Sequence, residues 1–101
     1  MRLHEETIGA GGEKVDPARV EQTLLATGLV SEALVLGLPD ATWGELVTAC
    51  VVAGPETEAA LRQACEQLEP TARPRRYVFV PVMPTNASGK PDRAAIAKLA
   101  A

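Results

Sequence analysis

Two apolar runs, separated by a short polar loop, constrain the fold of this chain more than any other feature. The first covers 33–36 and ends at Pro39-Asp40, and the second, "LVTACVVA", covers 46–53 after the loop "ATWGE". Continuous apolar runs of this length are typical of strands that are covered on both faces. In a chain of 101 residues, which has room for one small domain, they predict two central strands that pair antiparallel across the loop.

A first helix is predicted ahead of these strands, at about 17–27. Asp16 is a suitable N-cap, and Gly28 suits the position just after the last turn. The helical period places Leu24 on the buried face and Glu21 on the exposed face.

The remaining pattern predicts a second helix, a third strand and a closing helix. Thr57 can cap the second helix, and the alternating run 77–80 is typical of a strand. The closing helix is expected to begin near Asp92 and to bury Leu99 with its apolar neighbours. The buried stripe of the second helix repeats at helical spacing and consists of Leu61, Ala64, Cys65 and Leu68.

Glycines near the start of the chain predict a tight hairpin. Gly9, Gly11 and Gly12 lie between Ile8 and Val15, and glycine supplies the positive φ that such turns need. The expected fold class is therefore α+β: a small central three-stranded sheet with helices packed on it, plus an N-terminal two-stranded glycine-rich hairpin.

Composition and charge argue against several kinds of partner. The formal net charge is −3, whereas a nucleic-acid binder presents a basic face. The local basic cluster of Arg73, Arg75 and Arg76 is interpreted as a solvated approach to the third strand. No apolar run comes near the roughly 20 residues of a membrane span, so neither a nucleic acid nor a membrane is expected as a partner.

Cysteine and histidine usage argues against a metal site. Cys50 and Cys65 lie in apolar settings without CxxC spacing, and His4 is the single histidine. The cysteines are therefore expected to be buried free thiols, with no metal bound. Free thiols and the lack of an apolar signal segment fit a reducing, cytoplasmic compartment.

One lysine has an unusual setting. Lys90 follows a small polar run in "PTNASGKPDR", a flexible loop between the third strand and the last helix. The segment "ASGK" is similar to the end of a phosphate-binding P-loop, but Pro84 and Pro91 occupy positions where that motif needs Gly and Ser/Thr. Two interpretations remain: a solvated surface lysine, or a cation that is presented to an anion from another domain.

The loop between the two central strands carries a second unusual group of residues. "GLPDATWGE" combines a Pro-Asp turn with Trp43 and Glu45. We interpret it as a structural turn with a packed indole, because nothing places a substrate between Asp40 and Glu45.

Four segments resemble one family in their order and spacing: "GGEKVDPARVEQTLL", "EALVLGLPDATWGELVTACVV", "PRRYVFV" and "MPTNASGKPDR". They are similar to the C-terminal domain of the adenylate-forming superfamily, the AMP-dependent synthetases/ligases. That superfamily includes acyl- and aryl-CoA synthetases, peptide-synthetase adenylation domains and luciferases. The resemblance implies that 1–101 is a single C-terminal lid domain, with the hinge and glycine hairpin at 1–15 and an α+β body at 16–101.

The resemblance also implies a reaction and its partners. A large N-terminal adenylation domain, in cis or in trans, would bind the carboxylic acid together with most of ATP and Mg²⁺. The acyl group would pass from the adenylate to coenzyme A or to the phosphopantetheine of an acyl carrier protein. The isolated lid is expected to be inactive, and because Met1 falls at the hinge, an excised domain is favoured over a short gene product.

Specific roles come from the same resemblance. The catalytic lysine, which bridges the substrate carboxylate and the nucleotide in the first half-reaction, corresponds to Lys90, and the hinge residue to Glu5. The residues that correspond to loop support are Asn86, Ser88 and Gly89. The hairpin that lines the pantetheine tunnel in the second half-reaction corresponds to Gly11, Gly12, Glu13 and Lys14.

The chain departs from the family pattern at several positions. Thr71 and Ala72 stand where a Tyr-Lys pair is common, Asn86 replaces a threonine, and Glu5 replaces the usual Asp. A different class of function also stays open, namely a free-standing α+β binding or regulatory module that kept the lid fold without catalysis.

Overall fold

The computed structural model describes residues 7–100. In chain order its strands and helices are β1 (Ile8–Ala10), β2 (Glu13–Val15), α1 (Pro17–Leu25), β3 (Ala33–Asp40), β4 (Gly44–Val52), α2 (Glu58–Ala64), β5 (Arg76–Val80) and α3 (Arg93–Ala100). Short 3₁₀ turns lie at Pro55–Thr57, Cys65–Gln67 and Pro70–Ala72. No helix within this part of the chain has the length and apolar character needed to cross a membrane.

Strand β4 is the centre of a five-stranded sheet. It pairs antiparallel with β3 along nearly its whole length and in parallel with β5 over its second half. At its start it meets the β1–β2 hairpin, where Ala10 lies opposite Gly44. The predicted α+β class and the antiparallel pairing of the central strands are confirmed, and the hairpin joins those strands in one sheet.

Apolar residues pack on both faces of this sheet. The cluster on one face joins the sheet to α1 and α2 and contains Ile8, Ala10, Val15, Val20, Leu24, Val30, Val35, Val47, Ala49, Val51, Leu61, Cys65 and Leu68. The cluster on the other face joins it to α3 and contains Leu36, Cys50, Val78, Val80, Met83, Ile96 and Ala100. Successive residues of a strand point to opposite faces, so the two apolar runs are covered on both sides, as predicted.

Strand β3 continues beyond the point where the sequence predicts its end. Pro39 lies within the strand, which is possible because β3 is an edge strand and its outer amides need no ladder partner. Glu21 is not turned to solvent as predicted, since its Oε2 accepts the Val35 amide at 2.8 Å. Alternate amides of a strand point to the same edge. The Val35 amide points to the outer edge of β3, so an amide at position 39 would point there too, and the missing N–H of Pro39 costs no bond to β4.

Helix α1 begins at its predicted position. Asp16 Oδ1 accepts the Ala18 amide at 3.0 Å, as an N-cap side chain does. The helix ends at Leu25, slightly before the predicted end, and Gly28 then adopts a φ of +74°. A glycine in this conformation reverses the chain toward β3 without the strain that a Cβ would bring.

Two details of the other helices differ from the prediction. Thr57 does not cap α2 with its side chain; its hydroxyl donates to the Gly54 carbonyl at 2.8 Å. In α3 the buried residues are Ile96 and Ala100, whereas Leu99 is 56% exposed. The helix is short, and its rotation is set by how it rests on the sheet, which periodicity alone does not decide.

Adjacent leucines of α1 offer a matched test of the core. Leu24 is fully buried, whereas Leu25 is 43% exposed. We expect Leu24→Ala to lower the free energy of unfolding by about 3 kcal/mol, because it removes buried methyl groups and leaves a cavity. Leu25→Ala should change it by less than about 1 kcal/mol. Urea denaturation measures both values, and equal losses would contradict the helix orientation described here.

Candidate functional site

The loop that carries Lys90 connects β5 to α3 and is closed at its base. The Asp92 amide donates to the Pro84 carbonyl at 2.9 Å, and Thr85 and Pro91 form an isolated antiparallel bridge. The loop is therefore a small hairpin with a defined base.

Asn86 holds the tip of this loop. Its side-chain Oδ1 accepts the amides of Ser88 at 2.8 Å and Lys90 at 3.2 Å. Its own amide donates to the Lys90 carbonyl at 2.7 Å, and its carbonyl accepts the Gly89 amide at 2.9 Å. Gly89 supplies the turn with a φ of +81°. These hydrogen bonds, which centre on Asn86, close the tip; the flexibility that the sequence predicts here stays a prediction.

The charged end of Lys90 has no partner among residues 7–100. Its side chain is exposed, and it takes part in no hydrogen bond or ion pair with the described part of the chain. A lysine ammonium is a compact, strongly hydrated charge on a flexible stem. It is therefore available to an anion that comes from outside these residues.

Helix α3 anchors the loop to the sheet. Asp92 Oδ1 accepts the Ala95 amide at 3.0 Å and so caps the start of the helix. At the other end of the helix, Arg76 Nη1 donates to the Ala100 carbonyl. Ile96 is fully buried between these two ends. The Lys90 loop thus stands on a helix that is held at its start, middle and end.

The glycine hairpin is a second exposed surface. Gly11 and Gly12 form its two-residue turn with φ values of +59° and +86°, the combination that type I′ hairpins require. A Cβ added at Gly12 would meet nothing within 4 Å. Glu13 and Lys14 are exposed, and Glu13 Oε1 accepts the Thr71 hydroxyl at 3.0 Å.

Trp43 supports the tip of this hairpin. The Gly11 amide donates to the Trp43 carbonyl at 3.0 Å, and a Cβ at Gly11 would come within 3.0 Å of the indole ring. The Arg75 guanidinium lies over the same ring, 3.7 Å from its centroid, in the geometry of a cation–π contact. The indole is packed, as the sequence predicts, but its role toward the hairpin becomes visible only in three dimensions.

The basic cluster ahead of β5 is more than a solvated segment. Arg73 donates from Nε to the Leu68 carbonyl at 3.0 Å and from Nη2 to the Glu66 carbonyl at 2.8 Å. Arg75 stacks on Trp43. Each of these guanidinium groups therefore holds a loop or helix end, and the interpretation of the cluster as merely solvated is wrong.

The two cysteines are buried and free, as predicted. Desolvation by burial raises the pKa of both the Cys50 and the Cys65 thiols, which keeps them protonated near neutral pH. Within residues 7–100 no group of three or more His, Cys, Asp and Glu side chains could hold a metal ion.

The predicted site residues thus fall on two segments that different elements carry. Lys90 and its supporting residues are carried by β5 and α3, whereas the glycine hairpin is attached at the start of β4. The predicted hinge residue, Glu5, lies outside the described residues. Sequence reasoning missed that Trp43 and Glu45 contact the hairpin and that Arg75 stacks on Trp43. The one available signal was the group Trp-Gly-Glu, where the loop after β3 meets the start of β4.

Comparisons with known proteins agree on one family. The family described as "AMP-binding enzyme C-terminal domain" matches residues 19–90. A 4-chlorobenzoate–CoA ligase from Arthrobacter sp. is 44% identical over 92 residues, which cover 88% of this chain and 18% of the relative. The chain thus spans less than a fifth of the length of that relative.

Solved structures show the same fold. The apo structure of MbtA from Mycobacterium smegmatis has a TM-score of 0.81 and 36% identity, covering 93% of this chain and 19% of that one. A Bacillus subtilis o-succinylbenzoate CoA synthetase (MenE), solved with its acyl-adenylate intermediate OSB-AMP, has a TM-score of 0.77 and 33% identity, covering 90% and 19%. The chain therefore belongs to the family of C-terminal domains of AMP-binding enzymes.

Proposed function

We propose that this chain is the mobile lid domain, spanning 1–101, of an ATP-dependent acyl- or aryl-CoA synthetase-like ligase. The overall reaction joins a carboxylic acid to ATP, releasing pyrophosphate, and then transfers the acyl group from the adenylate to a thiol, releasing AMP. The observation that carries the proposal is the exposed ammonium of Lys90, which has no partner within residues 7–100 and stands on a loop closed by Asn86.

Lys90 acts in the first half-reaction. Its ammonium bridges the substrate carboxylate and the nucleotide phosphate and so stabilises the negative charge that is shared between them during attack. A preorganised donor of this kind lowers a barrier by several kcal/mol when water is excluded. The Asn86-centred hydrogen bonds support this role, because they fix the backbone from which the lysine extends.

The glycine hairpin acts in the second half-reaction. Gly11, Gly12, Glu13 and Lys14 line the passage through which a pantetheine arm reaches the adenylate. Support comes from the open space at Gly12, because a backbone without side chains lets a thin substituent pass close to it. The arm belongs to coenzyme A or to an acyl carrier protein.

The remaining parts of the reaction belong to a large N-terminal domain. That domain holds ATP, Mg²⁺ and the acid, and the lid turns against it about a hinge near Glu5, so that the isolated chain is inactive. The alternative of a free-standing binding or regulatory module is disfavoured. Neither Lys90 nor Gly12 contributes to packing, so a module without catalysis would have no structural need to keep them.

Replacing the loop lysine should separate the two half-reactions. In the full-length enzyme, Lys90→Ala should slow adenylate formation by about 10²–10³-fold, the loss seen when a transition-state donor is removed. Acyl transfer from supplied adenylate should keep its rate. Pyrophosphate release and thioester formation measure the two steps. Lys98→Ala, which removes an exposed lysine from α3, is the control, and an equal fall in both steps would contradict the assigned role.

Filling the hairpin turn should have the opposite effect. Gly12→Leu should slow thioester formation by about 10- to 100-fold, since it blocks or displaces the arm, and leave adenylation intact. Gly28→Leu is the matched control, because Gly28 also has a positive φ and open space around its Cβ position but lies beyond the end of α1. Both changes strain the backbone, but only the change at Gly12 is expected to block the arm. If Gly28→Leu slowed thioester formation equally, the effect would come from strain and the role of the hairpin would be refuted.

A further inference from the structure

Beyond these roles, we infer that Glu45 is a positioning residue that sets the attachment of the glycine hairpin to β4 and thereby supports the thiol-transfer step. The inference rests on the proposed function of the hairpin.

The hairpin is joined to β4 through one edge of β1. Only Ala10, opposite Gly44, forms a ladder pair between these strands. On the same edge the Gly9 amide donates to Glu45 Oε1 at 2.7 Å, and the Gly11 amide donates to the Trp43 carbonyl at 3.0 Å. A carboxylate thus takes the place that a strand carbonyl would occupy in a longer ladder.

The backbone around Glu45 is shaped for this bond. Gly44 turns the chain with a φ of +81°, and a Cβ there would lie 3.4 Å from the Gly9 carbonyl oxygen. On β3, a Cβ at Gly37 would come within 2.8 Å of Ile8 Cγ2 and 3.0 Å of Glu45 Cδ. The missing side chain at Gly37 therefore leaves the space in which Ile8 and the Glu45 carboxylate lie.

A second carboxylate, that of Asp40, supports the hydrogen bond between the Gly11 amide and the Trp43 carbonyl. Asp40 Oδ2 accepts the amides of Thr42 at 3.0 Å and Trp43 at 2.8 Å. This fixes the turn that presents the Trp43 carbonyl to Gly11. Asp40 and Glu45 therefore do not form a substrate site between them; each holds backbone on the way to the hairpin.

The consequence for the reaction is selective. Without the Glu45 acceptor, β1 keeps one ladder pair and the Gly11 bond to β4, and the hairpin keeps the buried side chains of Ile8, Ala10 and Val15. We expect its backbone to be held less tightly on the β4 side while these buried side chains stay in place. The Lys90 loop shares no described hydrogen bond with Glu45. Loss of the carboxylate should therefore slow thiol transfer and spare adenylation.

The test uses the full-length enzyme that carries this domain. In Glu45→Ala, hydrogen–deuterium exchange in peptides covering 8–15 should rise about tenfold, as expected on losing one hydrogen bond, and kcat/KM for the thiol should fall by a similar factor. Adenylation should be unchanged. Glu45→Gln should restore both values, because its amide oxygen can accept the Gly9 amide and the side chain faces an open cavity of about 380 Å³.

Thr27→Ala is the control for a general loss of stability, since Thr27 Oγ1 also accepts a backbone amide, that of Leu29, at 3.0 Å. It should leave exchange at 8–15 and both half-reactions unchanged. Unchanged exchange in Glu45→Ala, or a Gln variant that behaves like Ala, overturns the attachment by Glu45. Raised exchange with normal thiol transfer overturns the positioning role and the proposed function of the hairpin, but not that of Lys90. An equal fall in both half-reactions points to a merely structural role and also overturns the inference.

Discussion

Burial of β4 on both faces is the constraint on which the rest of this domain depends. Val47 to Val51 are all buried; Val47, Ala49 and Val51 belong to the cluster under α1 and α2, and Cys50 belongs to the cluster under α3. A slip of one residue in the pairing of β4 would exchange the two faces. The register of β3, β5 and β1 is therefore fixed by the same strand, and with it the position of every loop that follows them.

The two candidate segments are built in the same way on this scaffold. Each is a turn with a glycine at positive φ, Gly89 in one and Gly11 and Gly12 in the other, and each is held by a side chain that accepts backbone amides, Asn86 in one and Glu45 in the other. At one tip the Lys90 ammonium has no partner within residues 7–100, and at the other the space around Gly12 is open. A charge that lacks a partner is tolerated there because it stays in water.

Helix starts, strand pairing and the family assignment could all be predicted, because caps, apolar runs and short motifs are local signals. The errors share one physical cause. Glu21 caps the edge of β3, Arg73 holds carbonyls near the end of α2, and Leu99 lies outside the contact of α3 with the sheet. In each case the surroundings of the side chain depend on how neighbouring elements pack, which the local sequence pattern does not show.

For the candidate site, local sequence was enough to single out Lys90 and the glycine turn, since a cation in a small polar loop and glycines in close succession need no tertiary information to be noticed. Which groups hold those segments was decided by folding. Glu45 meets Gly9 across 36 positions of sequence, and Arg75 lies over Trp43 at the side of the sheet where β5 pairs with β4. Such contacts depend on strand register and on the space left by a missing side chain at Gly37, and neither is encoded within the short windows that sequence patterns span.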